Sequence, residues 1–345
     1  MRESSRKKRY TYNSGDKIAD FTVIKLIGQG GYGDIYTVSN DNYENMYAIK
    51  LESLTAAKKG LDTEISFLER IQDSRLFPQL IEYGETDTDK YLVMELLGPS
   101  VSNTRRQNEK RKLSLGTTIR IGIFMLECIE EFHRHGLIHC DIKSGNFLLR
   151  NGFKNPLALI DFGLSKVFID EDTGAILPEK KKVDFHGTFK YASIQAHEYH
   201  DQCQRDDLVS WVYSMVELVE GMLPWGNVVE NSKMKSMKKS ISAKELLRSF
   251  PKEFLAIYKY VTGLKYGMVP NYVYLRQLLL QSLTTAGIDP YSRFDWEFFS
   301  KEQLQNYSPI SRLPSADDIE LPEKQELIPV YETDVAHPKC TCLIL

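Results

Sequence analysis

Short apolar runs dominate the first hundred residues, which predicts a mostly β-stranded region. Residues 1–17 are polar and basic and predict a loose N-terminus. The segment FTVIKLI at 21–27 predicts a strand that leads into a glycine cluster, and the segments DIYTV, MYAIKLE, QLIEYG and KYLVMEL predict four more strands. Residues 57–71 carry apolar side chains at helical spacing, so this region contains one predicted helix.

Helical periodicity dominates the chain after the Gly98-Pro99 pair. Residues 117–136 are apolar almost all round, which predicts a helix buried on most sides, and Gly136 is placed to end it in the left-handed conformation. Three further segments predict helices, at 206–221, 251–264 and 271–287. We therefore expect an α+β chain in which a small β-rich lobe precedes a larger helical lobe, with a ligand cleft between them.

The last part of the chain differs in composition from both lobes. It turns polar from about residue 301 and is punctuated by proline from Ser308 onwards, which predicts a flexible tail. We place the folded domain at residues 18–297 and the tail at 298–345.

Composition and charge exclude several classes of protein. A net charge of −3 over 345 residues gives no general argument for nucleic-acid binding, and five scattered cysteines favour a reducing compartment over a disulfide scaffold. No apolar stretch is long enough to span a membrane, and the N-terminus lacks the apolar core of a secretory signal. We expect a cytoplasmic protein, and a monomer.

Two phrases carry the candidate chemistry. HCDIKSGNFLL contains Asp141, Lys143 and Asn146, and LIDFG contains Asp161. Asp141 is a candidate base that orients an acceptor hydroxyl, and Lys143 can neutralise charge on a transferred phosphoryl group. Asn146 and Asp161 offer the oxygen ligands that Mg²⁺ prefers. The set predicts transfer of a phosphoryl group from ATP.

A glycine-rich pattern lies between the first two predicted strands. Gly28, Gly30 and Gly33 form GxGxxG, a weak signal by itself because dinucleotide-binding proteins use the same spacing before a helix. Here it predicts a hairpin that folds over phosphates, with an ordinary glycine-rich turn as the alternative.

Lys50, at the end of the strand YAIK, can reach two phosphates if a carboxylate holds it in place. Glu64 on the predicted helix is the better candidate, because it lies one turn before an apolar residue of the buried face. Glu69 is its rival, and solvated surface side chains are the alternative for all three.

These phrases together resemble the eukaryotic protein kinases over residues 18–297. Within them the chain is most similar to the casein kinase I group, including the tau-tubulin kinases, on MELLGPS at 94–100, GTFKYASIQAH at 187–197 and QRDDL at 204–208. YASIQAH stands where most protein kinases carry APE. The resemblance implies a bilobal protein kinase fold, ATP and Mg²⁺ as cofactors, and serine/threonine protein substrates.

The resemblance also implies a nucleotide pocket. Met94 would lie at the back of it, Glu95 and Leu97 would offer backbone hydrogen bonds to adenine, and three apolar side chains would sandwich the ring. The cofactor-binding residues implied are Ile27, Gly28, Gly30, Gly33, Ile35, Ala48, Lys50, Met94, Glu95, Leu97 and Leu148. By the same resemblance Asp207 would tie the catalytic loop to a buried helix, and the Thr188 hydroxyl would bond Asp141 and Lys143.

The group commonly favours acidic or already phosphorylated substrates. Lys190 stands where relatives carry a basic, anion-binding residue. Lys235 belongs to a lysine run at 233–239 that either adds positive charge nearby or forms a solvated helix face. Cys140 replaces the arginine of the family phrase HRD, which usually neutralises a phosphate in the activation segment. We therefore expect activity without phosphorylation of that segment.

The last six residues, CTCLIL, predict lipid modification. Cys342 begins a C-a-a-X pattern for prenylation, and Cys340 could take a palmitoyl chain as a second membrane signal. We expect peripheral association with the cytoplasmic face of a membrane, helped by the basic cluster at 6–9. An unmodified tail, or docking of the chain end in a partner's groove, is the alternative.

Two other functions compete with a protein kinase. A kinase fold that binds nucleotide or partners without turnover is favoured only by Cys140, since every directly catalytic position is occupied. A small-molecule kinase of related fold is the second rival, and the segment GTFKYAS argues against it. A phosphoryl-transfer assay and a panel of protein and metabolite substrates separate the three.

Overall fold

The computed structural model describes residues 11–30, 33–40, 43–56, 59–300, 303 and 313–322. The basic cluster at 6–9 and the predicted lipidation sites Cys340 and Cys342 lie outside the described residues.

Six antiparallel strands form the first lobe, in the order β1-β2-β3-β4-β6-β5. Side chains that alternate along these strands are buried inside the curved sheet, among them Phe21, Val23, Tyr36 and Val38. One helix, α1, packs against β5 and β6. The elements of this lobe are β1 (Lys17–Ile18), β2 (Phe21–Gly30), β3 (Gly33–Asn40), β4 (Tyr43–Ser53), α1 (Leu61–Arg70), β5 (Leu80–Glu85) and β6 (Asp89–Glu95).

Helices dominate the second lobe. Its helices are α2 (Val101–Gln107), α3 (Leu115–Arg134), α4 (Ile194–His197), α5 (Gln204–Glu220), α6 (Asn231–Ser240), α7 (Ala243–Leu246), α8 (Glu253–Gly263) and α9 (Tyr272–Thr285). Its short strands are β7 (Leu137–Ile138), β8 (Phe147–Leu149), β9 (Leu157–Leu159) and β10 (Lys166–Val167), paired as β7–β10 and β8–β9. Helices α3 and α5 form the centre of this lobe, where Trp211 Nε1 donates to the Gly122 carbonyl at 3.0 Å.

The predicted fold class, α+β with two lobes, is confirmed. The helix predicted at 117–136 is α3, and Gly136 just beyond it has a φ of 72°, in the left-handed region as expected. The sequence prediction missed α2, and it offered a helix at the lysine run of α6 only as one of two alternatives. The residues of both helices are mostly polar and show no long apolar stripe. No helix within the described ranges is long and apolar enough to cross a membrane.

The expectation of a wholly flexible tail is wrong for residues 313–322. This segment, the strap, packs on the helical lobe with Ala316, Ile319 and Leu321 buried. Trp296 Nε1 donates to the carbonyl of Pro314 at 2.7 Å. The prediction failed because proline and acidic residues masked three apolar side chains that find a surface only in the folded lobe.

Candidate active site

A cleft of about 980 Å³ separates the two lobes. All eleven residues predicted to bind nucleotide line it, from Ile27 on the roof to Leu148 on the floor. The β2–β3 hairpin covers it, and Gly33 has a φ of 136° with its α-carbon against the Leu51 carbonyl. A side chain at position 33 would overlap that carbonyl, so the hairpin requires glycine there.

Lys50 is held between two carboxylates. Its Nζ lies 2.5 Å from Glu64 Oε2 on α1 and 3.1 Å from Asp161 Oδ1. The rival carboxylate, Glu69, is exposed and accepts a hydrogen bond from the Tyr83 hydroxyl instead, at 2.7 Å. Of the two candidates, the fold therefore brings Glu64 to Lys50.

Burial and charge act against each other at these three groups. Burial by itself would lower the pKa of Lys50, but Glu64 and Asp161 outweigh it and raise that pKa. Burial likewise opposes ionisation of Asp161, yet the charge of Lys50 lowers the pKa of Asp161 below its ordinary value. Burial raises the pKa of Glu64, and the charge of Lys50 opposes that rise. Lys50 and Asp161 are thus both kept charged at neutral pH.

Asp141 and Lys143 lie in contact, and Lys143 lines the floor of the cleft. Lys143 Nζ donates to Asp141 Oδ2 at 2.5 Å and to Thr188 Oγ1 at 3.2 Å. Asp141 Oδ1 is buried and has no hydrogen-bond partner within the described residues. A buried carboxylate oxygen without a donor is costly, so this atom is placed to accept a hydrogen bond from a ligand.

The loop that carries Asp141 is fixed from below by α5. Asp207 accepts from the backbone amides of His139 at 2.8 Å and Cys140 at 2.9 Å, and from His133 Nε2 at 2.9 Å. Cys140 has a φ of 66°, an uncommon conformation for a residue other than glycine. The two bonds to Asp207 hold the backbone in this shape.

Asn146 and Asp161 are neighbours because Ile160 N donates to the Asn146 carbonyl at 3.0 Å. Asn146 Nδ2 donates to the Asp141 carbonyl at 3.0 Å, which leaves Asn146 Oδ1 for a ligand. The described residues contain no group of three or more His, Cys, Asp or Glu that could hold a metal by themselves. One carboxylate and one amide fit Mg²⁺, which binds few protein oxygens and completes its shell with phosphates and water.

The side chain of Glu95 is engaged away from any nucleotide. Its carboxylate accepts hydrogen bonds from the Arg150 guanidinium and from the backbone amide of Gln79. Arg150 also donates to the carbonyls of Arg75 and Phe77. Glu95 can therefore serve adenine only through its backbone, which agrees with the role that the resemblance implied.

Cys140 lies in an apolar cluster where the resemblance leads one to expect an arginine. Ile138, Phe168 and Cys203 surround it, with Tyr266 at the edge. Burial raises the pKa of the Cys140 thiol well above its ordinary value, so it is a neutral packing group.

One ion pair and two hydrogen bonds hold the segment that follows β10. Lys166 pairs with the buried carboxylate of Asp201. Asp201 Oδ2 also accepts from the backbone amide of Lys180 at 3.1 Å. Tyr266 donates its hydroxyl to the Leu177 carbonyl at 3.1 Å.

Lys190, predicted to bind anions, is already paired. Its ammonium contacts Glu217, a carboxylate of α5 that is 2% exposed, and the Tyr191 hydroxyl donates to Glu217 Oε2 at 2.6 Å. Lys235 on α6 is half-buried and forms no ion pair within the described residues. Of the two predicted anion-binding lysines, only Lys235 retains a charge that an anion could use without breaking an existing pair.

Sequence reasoning missed three residues that shape the site: Glu217, Arg150 and Lys238. Glu217 had a signal in the sequence, since it is a carboxylate within the largely apolar run LVSWVYSMVELV of α5. Lys238 had a weak signal in the sequence. It lies one helical turn after Met234, which is buried, and therefore on the inner face of α6. Arg150 had no signal in the sequence, because its partners come from two distant segments of chain, at residues 75–77 and at Glu95.

Comparison with known proteins agrees with this geometry. A family model described as a protein kinase domain matches residues 21–263. A probable serine/threonine-protein kinase of Dictyostelium discoideum is 35% identical over 279 residues, which cover 80% of this chain and 56% of that protein. The serine/threonine-protein kinase spe-6 of Caenorhabditis elegans is 32% identical over 292 residues, which cover 82% of this chain and 76% of that protein.

Proposed function

The chain belongs to the protein kinase family, among the serine/threonine protein kinases, and we propose that it is an enzyme of casein kinase I type. It transfers the γ-phosphoryl group of ATP to hydroxyls of protein substrates, with Mg²⁺ as the divalent metal. The observation that carries this proposal is Oδ1 of Asp141, which is buried and has no hydrogen-bond partner among the described residues, next to Lys143, which lines the nucleotide cleft.

Asp141 aligns the acceptor hydroxyl. Its Oδ2 is occupied by Lys143, so Oδ1 is the atom that accepts the hydroxyl hydrogen. It takes the proton as the new P–O bond forms, while the bond from the γ-phosphorus to the β–γ bridging oxygen breaks and ADP leaves. Phosphoryl transfer has a loose transition state, so this role is mainly one of orientation. Lys143, also bonded to Thr188, lies beside Asp141 and stabilises the charge that develops on the transferred group.

Lys50 and the two oxygen ligands position the phosphates. Lys50, fixed by Glu64, presents its ammonium at the inner end of the cleft. Asn146 and Asp161 are the residues that would hold Mg²⁺, which when bound supplies Lewis-acid stabilisation of phosphate oxygens. The β2–β3 hairpin excludes water from the roof, because its glycines permit close approach of the backbone.

The proposal of a casein kinase I type is supported by the phrases GTFKYASIQAH and QRDDL and by the place that their residues take beside Asp141. We also propose a preference for acidic substrates, engaged by exposed lysines rather than by Lys190. Lys181, Lys182 and Lys233 are exposed, and Lys235 is half-exposed.

Peripheral membrane association, a cytoplasmic location and a monomeric state remain predictions. Cys340 and Cys342 lie outside the described residues. Mass spectrometry of the C-terminal peptide from cells tests the prediction of lipid modification, and a free Cys342 thiol would contradict it.

The decisive experiment measures γ-phosphoryl transfer from ATP to casein and to an acidic peptide by the purified protein. The Asp161→Ala variant serves as the inactive control, since it removes the only carboxylate among the proposed metal ligands. Transfer that is lost in this variant supports a kinase. Nucleotide binding without transfer by the unaltered protein would instead support the non-enzymatic binding module.

A further inference from the structure

The backbone of residues 188–192, the carbonyl ladder, is held at every carbonyl. The Thr188 oxygen accepts from two backbone amides of its own turn. Trp225 Nε1 donates to the Lys190 carbonyl at 2.7 Å, and Ser210 Oγ donates to the Tyr191 carbonyl at 2.9 Å. The carbonyls of Phe189 and Ala192 remain. His197 Nε2 lies 3.1 Å from the Phe189 oxygen, and one further side chain donates to both carbonyls.

That side chain is Lys238 of α6. Its Nζ donates to the Phe189 carbonyl and to the Ala192 carbonyl, both at 2.7 Å, and lies 3.1 Å from His197 Nε2. The residue is 2% exposed. A single amino group therefore joins the second and the last residue of the carbonyl ladder, at a buried position where solvent cannot compete for the bonds.

No carboxylate of the described residues pairs with Lys238. Its Nζ lies over the rings of Trp225 and Tyr213, at 5.1 and 5.2 Å from their centroids. The other charged groups of this region are Lys235 and the pair formed by Lys239 and Glu198. Burial lowers the pKa of Lys238 to about 7, and burial together with Lys238 lowers the pKa of His197 to about 4.

A buried lysine without a counter-ion is expensive to keep. A methionine of similar length would fill the space among these rings without that cost, so packing does not explain the residue. The lysine amino group supplies what methionine cannot, which is a hydrogen-bond donor to two carbonyls that lie three residues apart. The free-energy cost of burying Lys238 therefore indicates that this residue fixes the shape of the carbonyl ladder.

The carbonyl ladder begins beside the atoms that react. Gly187, the residue before it, has a φ of 109° and lies against the Cys140 carbonyl and Asp141 Oδ1. Thr188 is bonded to Lys143, and Tyr191 lines the cleft. A polypeptide that places a hydroxyl on Asp141 must run past this segment, so its shape fixes the path of that polypeptide.

We propose that Lys238 is a positioning residue for the protein substrate, which acts by fixing the carbonyl ladder rather than by touching the substrate. This inference rests on the proposed kinase function. Lys238 does not line the nucleotide cleft, so ATP binding does not depend on it. Loss of its two hydrogen bonds lets the carbonyl ladder move and weakens binding and alignment of the protein chain, while the catalytic groups stay in place.

The test compares Lys238→Met with the unaltered full-length protein in steady-state kinetics with varied protein substrate and varied ATP. We expect KM for the protein substrate to rise about tenfold, with KM for ATP unchanged and kcat reduced less than threefold. Lys244→Met, which replaces an exposed lysine of the neighbouring α7, is the matched control and should leave all three values unchanged.

A second control separates positioning from stability. Leu283→Ala removes a buried side chain of α9 and lowers stability without touching the carbonyl ladder. If Leu283→Ala reproduces the rise in protein KM, or if Lys238→Met raises the KM for ATP equally, the inference is overturned. An unaltered protein KM in Lys238→Met also overturns it.

The same experiment keeps the two proposals apart. An unaltered protein that transfers no phosphoryl group contradicts the proposed function itself. An active unaltered protein whose Lys238→Met variant behaves like it contradicts only the positioning role.

Discussion

The ammonium of Lys190 lies against the buried carboxylate of Glu217. Lys190 follows Thr188 and Phe189 in the segment nearest Asp141, so its charge would otherwise face the path of the substrate. Glu217 also accepts a hydrogen bond from Tyr191, and it lies 3.9 Å from Arg105. The carboxylate thus neutralises a cation where the family resemblance led us to expect an anion-binding site.

Glu217→Gln is therefore expected to change substrate preference. The amide keeps the size of the side chain but removes its charge and replaces one of its two acceptor oxygens by a donor, which leaves Lys190 without a counter-ion and partly exposed. An opposite charge placed about 4 Å away gains about 1–4 kcal/mol near a protein surface. We expect the ratio of kcat/KM for a peptide with Asp beside the acceptor to one with Ala there to rise about tenfold.

Glu220→Gln is the control for this change, since Glu220 lies three residues further along the same helix and pairs with Arg248 instead. It should leave the ratio unchanged. If Glu217→Gln leaves the ratio unchanged as well, Lys190 does not face the substrate.

Asp141→Asn should abolish most of the activity while nucleotide binding persists. The amide can still contact Lys143 and can occupy the same space, but it cannot take the proton of the acceptor hydroxyl. Loss of a positioned base lowers kcat by about 10²–10⁴. Single-turnover transfer measures the rate, and titration with a fluorescent ATP analogue measures binding. A variant that retains more than a tenth of the rate would remove Asp141 from its proposed role.

Much of the site could be predicted because its residues lie in short contiguous phrases. Asp141, Lys143 and Asn146 share one loop, and the order of strand and helix places Glu64 beside Lys50. Helical and strand periodicity gave the two lobes, since α3 and the strands around the cleft carry strong apolar patterns.

The rest depends on contacts between distant segments, which periodicity does not encode. Lys238 belongs to a mostly polar helix with four lysines, and only the folded chain turns that one lysine inward. The apolar residues of the strap have no regular spacing. Its three buried side chains depend on a surface of the helical lobe that exists only after folding. Lys190 was assigned by analogy with relatives, and its partner Glu217 lies 27 residues away.

Phosphatase treatment should leave the activity unchanged. Cys140 is packed among apolar side chains, so this position offers no cation to a phosphate. The segment after β10 is instead held by Lys166 on Asp201 and by the Tyr266 hydroxyl on the Leu177 carbonyl. Transfer to casein before and after treatment, with complete dephosphorylation verified by mass spectrometry, checks this. Loss of activity on treatment would show that a phosphate holds the segment.

Removal of the strap should destabilise the helical lobe. Ile319 and Leu321 are buried, and Trp296 loses both its cover and the Pro314 carbonyl when the strap is deleted. Full burial of one such side chain contributes about 1.5–3 kcal/mol, so deletion of residues 313–345 should lower the Tm by several degrees. Deletion of 323–345 alone is the control and should leave the Tm unchanged. Equal Tm values for the two deletions would show that the strap does not contribute to stability.

The burial of Lys238 predicts a pH dependence of stability with a defined sign. The pKa of Lys238 is about 7 in the folded protein, against an ordinary value of 10.5. Between these values the unfolded chain binds a proton that the folded chain does not, so the free energy of unfolding rises with pH. The slope from this residue is at most about 1.4 kcal/mol per pH unit. Below pH 7 both states carry the proton, and the contribution to the slope disappears.

Lys238→Met removes this contribution, while the other titrating groups remain. Urea unfolding of the unaltered protein and of the variant at pH 7, 8 and 9 should therefore give a difference in unfolding free energy that changes steadily with pH in favour of the unaltered protein. Lys244→Met, at an exposed position, should follow the unaltered protein throughout. Parallel curves for Lys238→Met and the unaltered protein would mean that the Lys238 side chain is solvated, and the carbonyl ladder would then lack the donor assigned to it.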